Sequence, residues 1–369
     1  MLTGENILLA RVYLARPLIG TEELVRVKTV FDSGFLTEGR VAGLLERKVA
    51  KYVATRFGIA STSCTTAIHS TLLALKVSGG EVVVPDFTYP ATIDAIVLAG
   101  GKPVLVDVDL ESRNVTGEVI EEAIGPETRC ILPVSLFGNP LEMAAYKAAG
   151  SKDIPIVEDA ACSLGARIGS KSVGCLADAT CFSFHPRKII TMGEGGMITT
   201  DREDIARACR SFKAFGSDGK RFLQVGTNLK LPDILAAIGL EQMKRLERII
   251  RIRAQKARIY EELLGEARHV RTPIQRKGTR HTFQAYTVYF ERPRIRDRVI
   301  RALARRNIES RIASYAIHQQ PAFKRLRRAG DLANSRLLYE RALALPLHHR
   351  VTDEDQQLVC KIVTRIGKS

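Results

Sequence analysis

What this 369-residue sequence lacks narrows it first. No window approaches about 18 unbroken apolar residues, which excludes a transmembrane helix. The opening stretch MLTGENILLARVYLARPL has no basic segment ahead of a long apolar run, so a secretory leader is not expected. The seven cysteines (64, 130, 162, 175, 181, 209 and 360) are odd in number, scattered and without a CxxC pair. Structural zinc is therefore unsupported, no metal site is expected, and reduced thiols in a cytoplasm fit. There is no internal repeat and no low-complexity tract. The composition that remains, 45% apolar and 26% charged, is that of a chain with a full globular core. At about 150 residues per domain the length calls for two domains or three.

The net charge of +16 is unevenly placed. Residues 1–240 hold 26 Lys/Arg against 27 Asp/Glu, whereas residues 241–369 hold 30 against 13. Such a basic last third admits a nucleic acid, an acidic membrane or a phosphorylated small molecule as partner. It equally fits a solvated, Arg-rich surface on amphipathic helices. The charges are spread, as in KRLERIIRIRAQKAR (244–258), and no block is interleaved with aromatics, so nucleic acid is the weaker reading.

Apolar β-rich runs alternate with helical stretches up to residue 240. EVVVP (81–85), KPVLVDVD (102–109), RCILPVS (129–135), IPIVEDA (154–160), ATCFSF (179–184) and GGMITTD (195–201) read as strands. Several are continuous Val/Ile-rich runs, the pattern of strands covered on both faces. TTAIHSTLLALK (65–76) and ATIDAIVLAG (91–100) read as intervening helices, the second closing on Gly100-Gly101. This alternation predicts an α/β fold with a mostly parallel sheet. A long helical run over 234–264 then leads into a basic region with a strand-like TFQAYTVYF (282–290). We therefore expect a large α/β domain over 1–245 and a smaller α+β domain over 246–369.

Ligands of an open α/β sheet collect at the carboxyl ends of its strands. IPIV is followed by Glu158-Asp159; ATCFSF contains Ser183 and is followed by His185-Pro186-Arg187-Lys188; EVVVP is followed by Asp86-Phe87-Thr88-Tyr89. The helix predicted at 65 opens with Ser61-Thr62-Ser63-Cys64-Thr65-Thr66, whose amides suit a phosphate. A lysine, a carboxylate, an aromatic and a helix-start phosphate cradle are what pyridoxal 5′-phosphate (PLP) requires. Each is weak alone, since a strand-end Asp is usually a cap and a loop Lys usually solvated. Their joint order carries the reading.

At this point the sequence resembles the DegT/DnrJ/EryC1/StrS family of sugar aminotransferases, which are fold-type I PLP enzymes. The resemblance runs through GFLTEG (34–39), TSCTTAIHSTLLAL (62–75), VVPDFTYPATIDAIVLAGGKPVLVDVD (83–109) and VEDAACSLGA (157–166). It continues through FSFHPRKIITMGEGGMITT (182–200), GTNLKLPDILAAIGLEQ (226–242), IESRIASYAIHQQPAF (308–323) and LALPLH (343–348). It implies that Lys188 forms the Schiff base with PLP and later acts as the base of a ping-pong transamination. Asp159 would pair with the pyridinium nitrogen and Tyr89 would stack on the ring. Thr65, Thr66 and Ser183 match the phosphate ligands. Asn228 matches an asparagine that reaches the phosphate from a neighbouring subunit, which implies a homodimer with shared sites.

The implied donor is L-glutamate, and the implied acceptor is a nucleotide-linked 4-keto-6-deoxyhexose aminated at C4. GEGG after the lysine resembles members that aminate C4, whereas C3 members more often read GDAG. A diphosphate needs cations, which Arg187, Lys230 and the basic C-terminal domain offer; Tyr315 and His318 match a family segment near the sugar, although His318 equally reads as an ordinary hydrogen-bonded histidine, and His185 is read as structural. Relatives that dehydrate sugars carry His in place of the Schiff-base lysine, and Lys188 is retained here.

Three departures stand against the pattern. Cys64 replaces the usual Gly and is expected to tighten the turn beside the phosphate. Cys162 replaces a Gln or His near the cofactor's phenolic oxygen, and a thiol is a poor substitute donor. Lys230 replaces an Arg and gives up bidentate contact. The rival readings are a PLP-binding regulatory relative without turnover, opposed by intact Lys188, Asp159 and GEGG, and a nucleic-acid-binding protein using the basic third. The latter predicts steep salt dependence and leaves the ordered constellation unexplained. A cysteine desulfurase is opposed by Cys360, which lies in a helical stretch rather than a flexible loop.

Overall fold

The computed structural model of the chain describes residues 12–150 and 152–368. Most of the stretch weighed above as a leader therefore lies outside the described residues. Seven strands form the main sheet, β1 (Phe57–Ser61), β2 (Glu81–Pro85), β3 (Lys102–Val106), β4 (Thr128–Ile131), β5 (Val157–Asp159), β6 (Ala179–Ser183) and β7 (Gly196–Thr200). β3, β2 and β4 pair in parallel, as do β5 and β6. Parallel bridges Ile131↔Ile156 and Val134↔Asp159 join the two halves. β7 runs antiparallel between β6 and β1, with Met197 opposite both Phe182 and Ala60. The mostly parallel expectation thus holds, with β7 reversed.

Both faces are covered, as the unalternating apolar runs imply. On one side Val82, Val84, Val157 and Cys181 pack against α3 (Cys64–Ala74) and α4 (Pro90–Leu98). On the other, Val83, Val106, Ile131 and Ile156 pack with Ile120 and Tyr146. α4 ends as expected, with Gly100 at φ +79°. Gly196 has a different role: a Cβ there would lie 2.2 Å from the Ser63 carbonyl, so only glycine lets β7 pass this close to the start of α3.

The boundary expected near residue 245 falls inside one 32-residue helix, α7 (Asp233–Leu264). Its first half packs Ala236, Leu240, Leu246 and Ile250 against α2 (Arg40–Val53) and the sheet. Its second half packs Ala257, Tyr260 and Leu264 on a smaller antiparallel sheet. That sheet comprises β8 (Val270–Arg271), β9 (Tyr286–Phe290), β10 (Arg311–Ile312) and β12 (Ala342–Leu345), in the order β8-β9-β12-β10. Two later segments return to the first part of the chain. β11 (Arg327–Ala329) adds a parallel edge to β3, and Tyr315–Ala316 pairs with Phe87–Thr88.

Part of the basic last third is internally engaged. Arg253 is buried and donates to the carbonyls of Phe283 and Gln284, and Arg280 pairs with Glu247. Arg271 and Arg327 pair with Glu291 and Glu81. No helix among the described residues is long and apolar enough to cross a membrane.

Asp233 joins α7 to α2. Its carboxylate accepts the amides of Gly39, Val41 and Ala42 at 2.8–3.1 Å, so it caps α2 from 190 residues away in sequence. Asp233 is buried, and removing it strands three donors. Asp233→Ala is expected to cost about 2–3 kcal/mol, against about 1 for an ordinary exposed cap, read from urea unfolding.

Candidate active site

The carboxyl ends of β2, β5 and β6 and the starts of α3 and α4 open into a cavity of about 620 Å³. Asp159 is the last residue of β5, and burial pushes its carboxyl up. The Thr92 hydroxyl at 2.7 Å on Oδ2, the Ala161 amide at 3.0 Å on Oδ1 and the Lys188 charge pull it back. Lys188 follows β6 in a folded loop. Its amide donates to the His185 carbonyl, and the Met192 amide and Thr191 hydroxyl both return to the Phe184 carbonyl. Burial opposes the charge on the Lys188 amine, yet Cys162 and Asp159 outweigh it and hold the amine above its ordinary value. A lowered amine, as catalysis by a free base requires, is not a property of these residues alone.

The start of α3 supplies anion-binding groups. The Ser63 and Thr66 side chains form a capping box. The Cys64 and Thr65 amides, at the first two helical positions, make no hydrogen bond to a described residue and remain available. Thr65 and Ser183 line the cavity beside them, as do Cys162, Lys188, Asp159, Tyr89, Arg187 and Tyr315. Tyr89 stands exposed at the mouth, its ring 6.0 Å from that of Tyr315. An amine, a buried carboxylate, free helix-start amides with hydroxyls, and an aromatic in one cavity fit the donor set PLP needs.

Four of the expected residues lie elsewhere. The Thr66 hydroxyl is engaged by Ser61, Thr62 and Ser63, because the position after Thr65 on the helix turns back to the cap. Asn228 and Lys230 lie on a segment outside the cavity lining, where Lys230 Nζ donates to Asn228 Oδ1 at 2.7 Å and sits over Phe215. His318 also stays out of the lining. Its ring Nδ1 is 2.7 Å from Asp86 Oδ2 and its amide donates to Asp86 Oδ1, so it clamps the 315–319 turn to the end of β2. His185 lines the cavity, with Nδ1 accepting the Arg187 amide and Nε2 3.9 Å from Glu194.

Cys64 does not tighten the turn. Ser63 keeps an ordinary extended cap conformation, and the sulfur turns inward against the Cys181 carbonyl at 3.5 Å and Asp159 at 3.9 Å. Thr92, Asp86 and Arg311 were not legible as site residues. Thr92 and Asp86 matter through partners 67 and 232 residues away, and Arg311 arrives on β10 from the smaller sheet.

This topology and cavity define a fold-type I PLP-dependent transferase. The chain belongs to the DegT/DnrJ/EryC1/StrS aminotransferase family, whose model matches residues 17–364. It is 33% identical to the uncharacterised protein MJ1066 of Methanocaldococcus jannaschii, over 95% of this chain and 96% of that one. The solved structure of a DegT DnrJ EryC1 StrS aminotransferase from Brucella abortus is 29% identical with a TM-score of 0.89, covering 95% and 96% of the two chains. DesI, solved in the presence of its TDP-sugar product, is 25% identical with a TM-score of 0.90, covering 97% and 93%.

On the far side of β5 from Asp159, Glu158 is fully buried beside Ser135, Tyr146 and its strand partner Thr180. The Ser135 and Tyr146 hydroxyls lie close enough to oppose a rise in the Glu158 carboxyl, but none of these groups makes a hydrogen bond of full geometry to a described residue. Burial pushes the Glu158 carboxyl up to about 7. A carboxyl raised on folding stabilises fully below its ordinary value near 4.5, and that stability is lost as pH rises to about 7. Glu158→Gln is expected to flatten this decline by up to roughly 3 kcal/mol, measured by urea unfolding at about pH 5 and about pH 8.

Proposed function

We propose that this protein is a PLP-dependent aminotransferase that moves an amino group from L-glutamate to a nucleotide-linked keto sugar, at C4 of a 4-keto-6-deoxyhexose. The observation that carries the reading is the convergence of Lys188, buried Asp159 and the free amides of α3 on one cavity. When bound, PLP supplies an electron sink for the carbanion left by loss of a Cα proton. Lys188 would present its amine to the cofactor and would take the proton from the donor Cα. Asp159 would supply the negative charge that keeps the pyridinium nitrogen protonated. The Cys64 and Thr65 amides with the Thr65 and Ser183 hydroxyls would bind the phosphate, and Tyr89 would cover the ring. GEGG supports C4, and the TDP-sugar product of the related DesI supports a nucleotide-linked acceptor. Arg187 at the cavity wall is a cation for that nucleotide's phosphates.

The enzyme acts as a homodimer. Asn228 and Lys230 do not reach their own cavity, and exposed apolar side chains lie on nearby segments, including Phe35 (78% exposed), Phe222 and Val225 (93%). Patches of this kind mark association surfaces. In the dimer, Asn228 and Lys230 serve the partner's phosphate groups.

The decisive measurement is the visible spectrum of the purified protein before and after L-glutamate. A yellow protein that bleaches with glutamate is expected. Lys188→Ala should abolish both the colour and the bleaching, and lower turnover by roughly 10²–10⁴-fold or more. A colourless protein that PLP cannot reconstitute would overturn the assignment. Site sharing has its own test. Lys188→Ala and Asn228→Ala chains, each inactive alone, should recover up to about a quarter of parental activity when refolded together, since half the dimers are mixed and each carries one intact site. No recovery would refute it.

A further inference from the structure

The structure puts the Cys162 sulfur 3.3 Å from the Lys188 amine, which donates to it. Cys162 is half-buried and lines the cavity, within reach of small solutes. Cys64, Cys130, Cys181, Cys209 and Cys360 are buried, and burial pushes each of these thiols up, away from the reactive form. Cys175 is half-buried but lies outside the cavity and donates to the Ser172 carbonyl. Peroxides oxidise thiolates, and a cationic nitrogen against an accessible sulfur is the setting in which reactive cysteines occur.

We propose that Cys162 and Lys188 are a redox modification site: peroxide converts the pair to a sulfenamide that thiols reverse. Hydrogen peroxide first oxidises the Cys162 thiol to the sulfenic acid; the O–O bond breaks, sulfur loses two electrons, one oxygen joins sulfur and the other leaves as water. The Lys188 ammonium gives one proton to water, and the lone pair so freed attacks that sulfur. The S–N bond forms, the S–O bond breaks, and hydroxide leaves as water with a proton from nitrogen. Two equivalents of external thiol reverse the change: the S–N bond breaks, thiol and amine return, and the external thiols end as a disulfide. The same contact between the side chains serves both steps, so the second needs no additional oxidant. The consequence for turnover rests on the function proposed above, because the bridge consumes the amine that PLP requires; the bridge itself does not.

The test treats the full chain, with and without added PLP, with hydrogen peroxide and maps its peptides by tandem mass spectrometry. The expected product without PLP is a cross-link between residues 162 and 188, lighter by about 2 Da than its parts through loss of two hydrogens. It should vanish with dithiothreitol, be absent from Cys162→Ser and Lys188→Ala, and be suppressed by PLP. A link from Cys162 to Cys64, which has the same mass loss, would overturn the proposal. So would Cys162 accumulating as sulfinic acid with Lys188 free, or remaining unoxidised. A cross-link that PLP fails to suppress upholds the site and counts instead against Lys188 as the cofactor's lysine. An absent cross-link in a protein that still turns yellow with PLP overturns this inference alone.

Discussion

Keeping the Asp159 carboxylate buried at the end of a covered strand is the constraint around which the site is organised. A charge removed from water is strongly disfavoured unless polar partners and an opposite charge surround it. Here those partners come from three elements. Thr92 on α4 donates to one oxygen, the Ala161 amide just beyond β5 donates to the other, and the Lys188 amine supplies the positive field. Each contact fixes an element that also lines the cavity. The cost of burying one carboxylate therefore positions the start of α4, the turn after β5 and the lysine loop at once.

The same logic holds the scaffold together farther out. Asp233 caps α2 from the start of α7, and buried Lys213 binds Glu38, Glu46 and the Ala60 carbonyl, tying the GFLTEG segment to β1. Asp86 does this for the later chain, gripping both the amide and the ring of His318. With Tyr315–Ala316 paired to Phe87–Thr88, this clamp brings the wall that carries Arg311 and Tyr315 over strand ends made some 230 residues earlier. A buried carboxylate taking amides from distant chain segments is the recurring device.

Cysteine enters the site twice, with opposite results. The buried Cys64 sulfur turns against Asp159 and the Cys181 carbonyl, and the Ser63 cap beside it keeps its ordinary extended conformation. The half-buried Cys162 sulfur lines the same cavity and accepts a hydrogen bond from the Lys188 amine.

The parallel α/β class, six of the strands, both helices beside the cavity and the long helix at 234–264 were legible in the sequence, because strand and helix burial leave local periodic patterns. That Lys188, Asp159 and Tyr89 lie together at strand ends was legible too, since an open sheet gathers polar residues there, and they line one cavity. What the sequence could not decide was orientation between neighbours and contact across distance. Thr65 and Thr66 are adjacent and chemically identical, yet helical phase sends one to the cavity and the other to the cap. The sequence leaves His318 open between a sugar contact and an ordinary hydrogen-bonded histidine, and the structure pairs its ring with Asp86. The sequence by itself determined the fold class and the strand-end chemistry. Only the tertiary structure decided which of those groups face one another, because that depends on the burial of polar side chains against partners that no local pattern encodes.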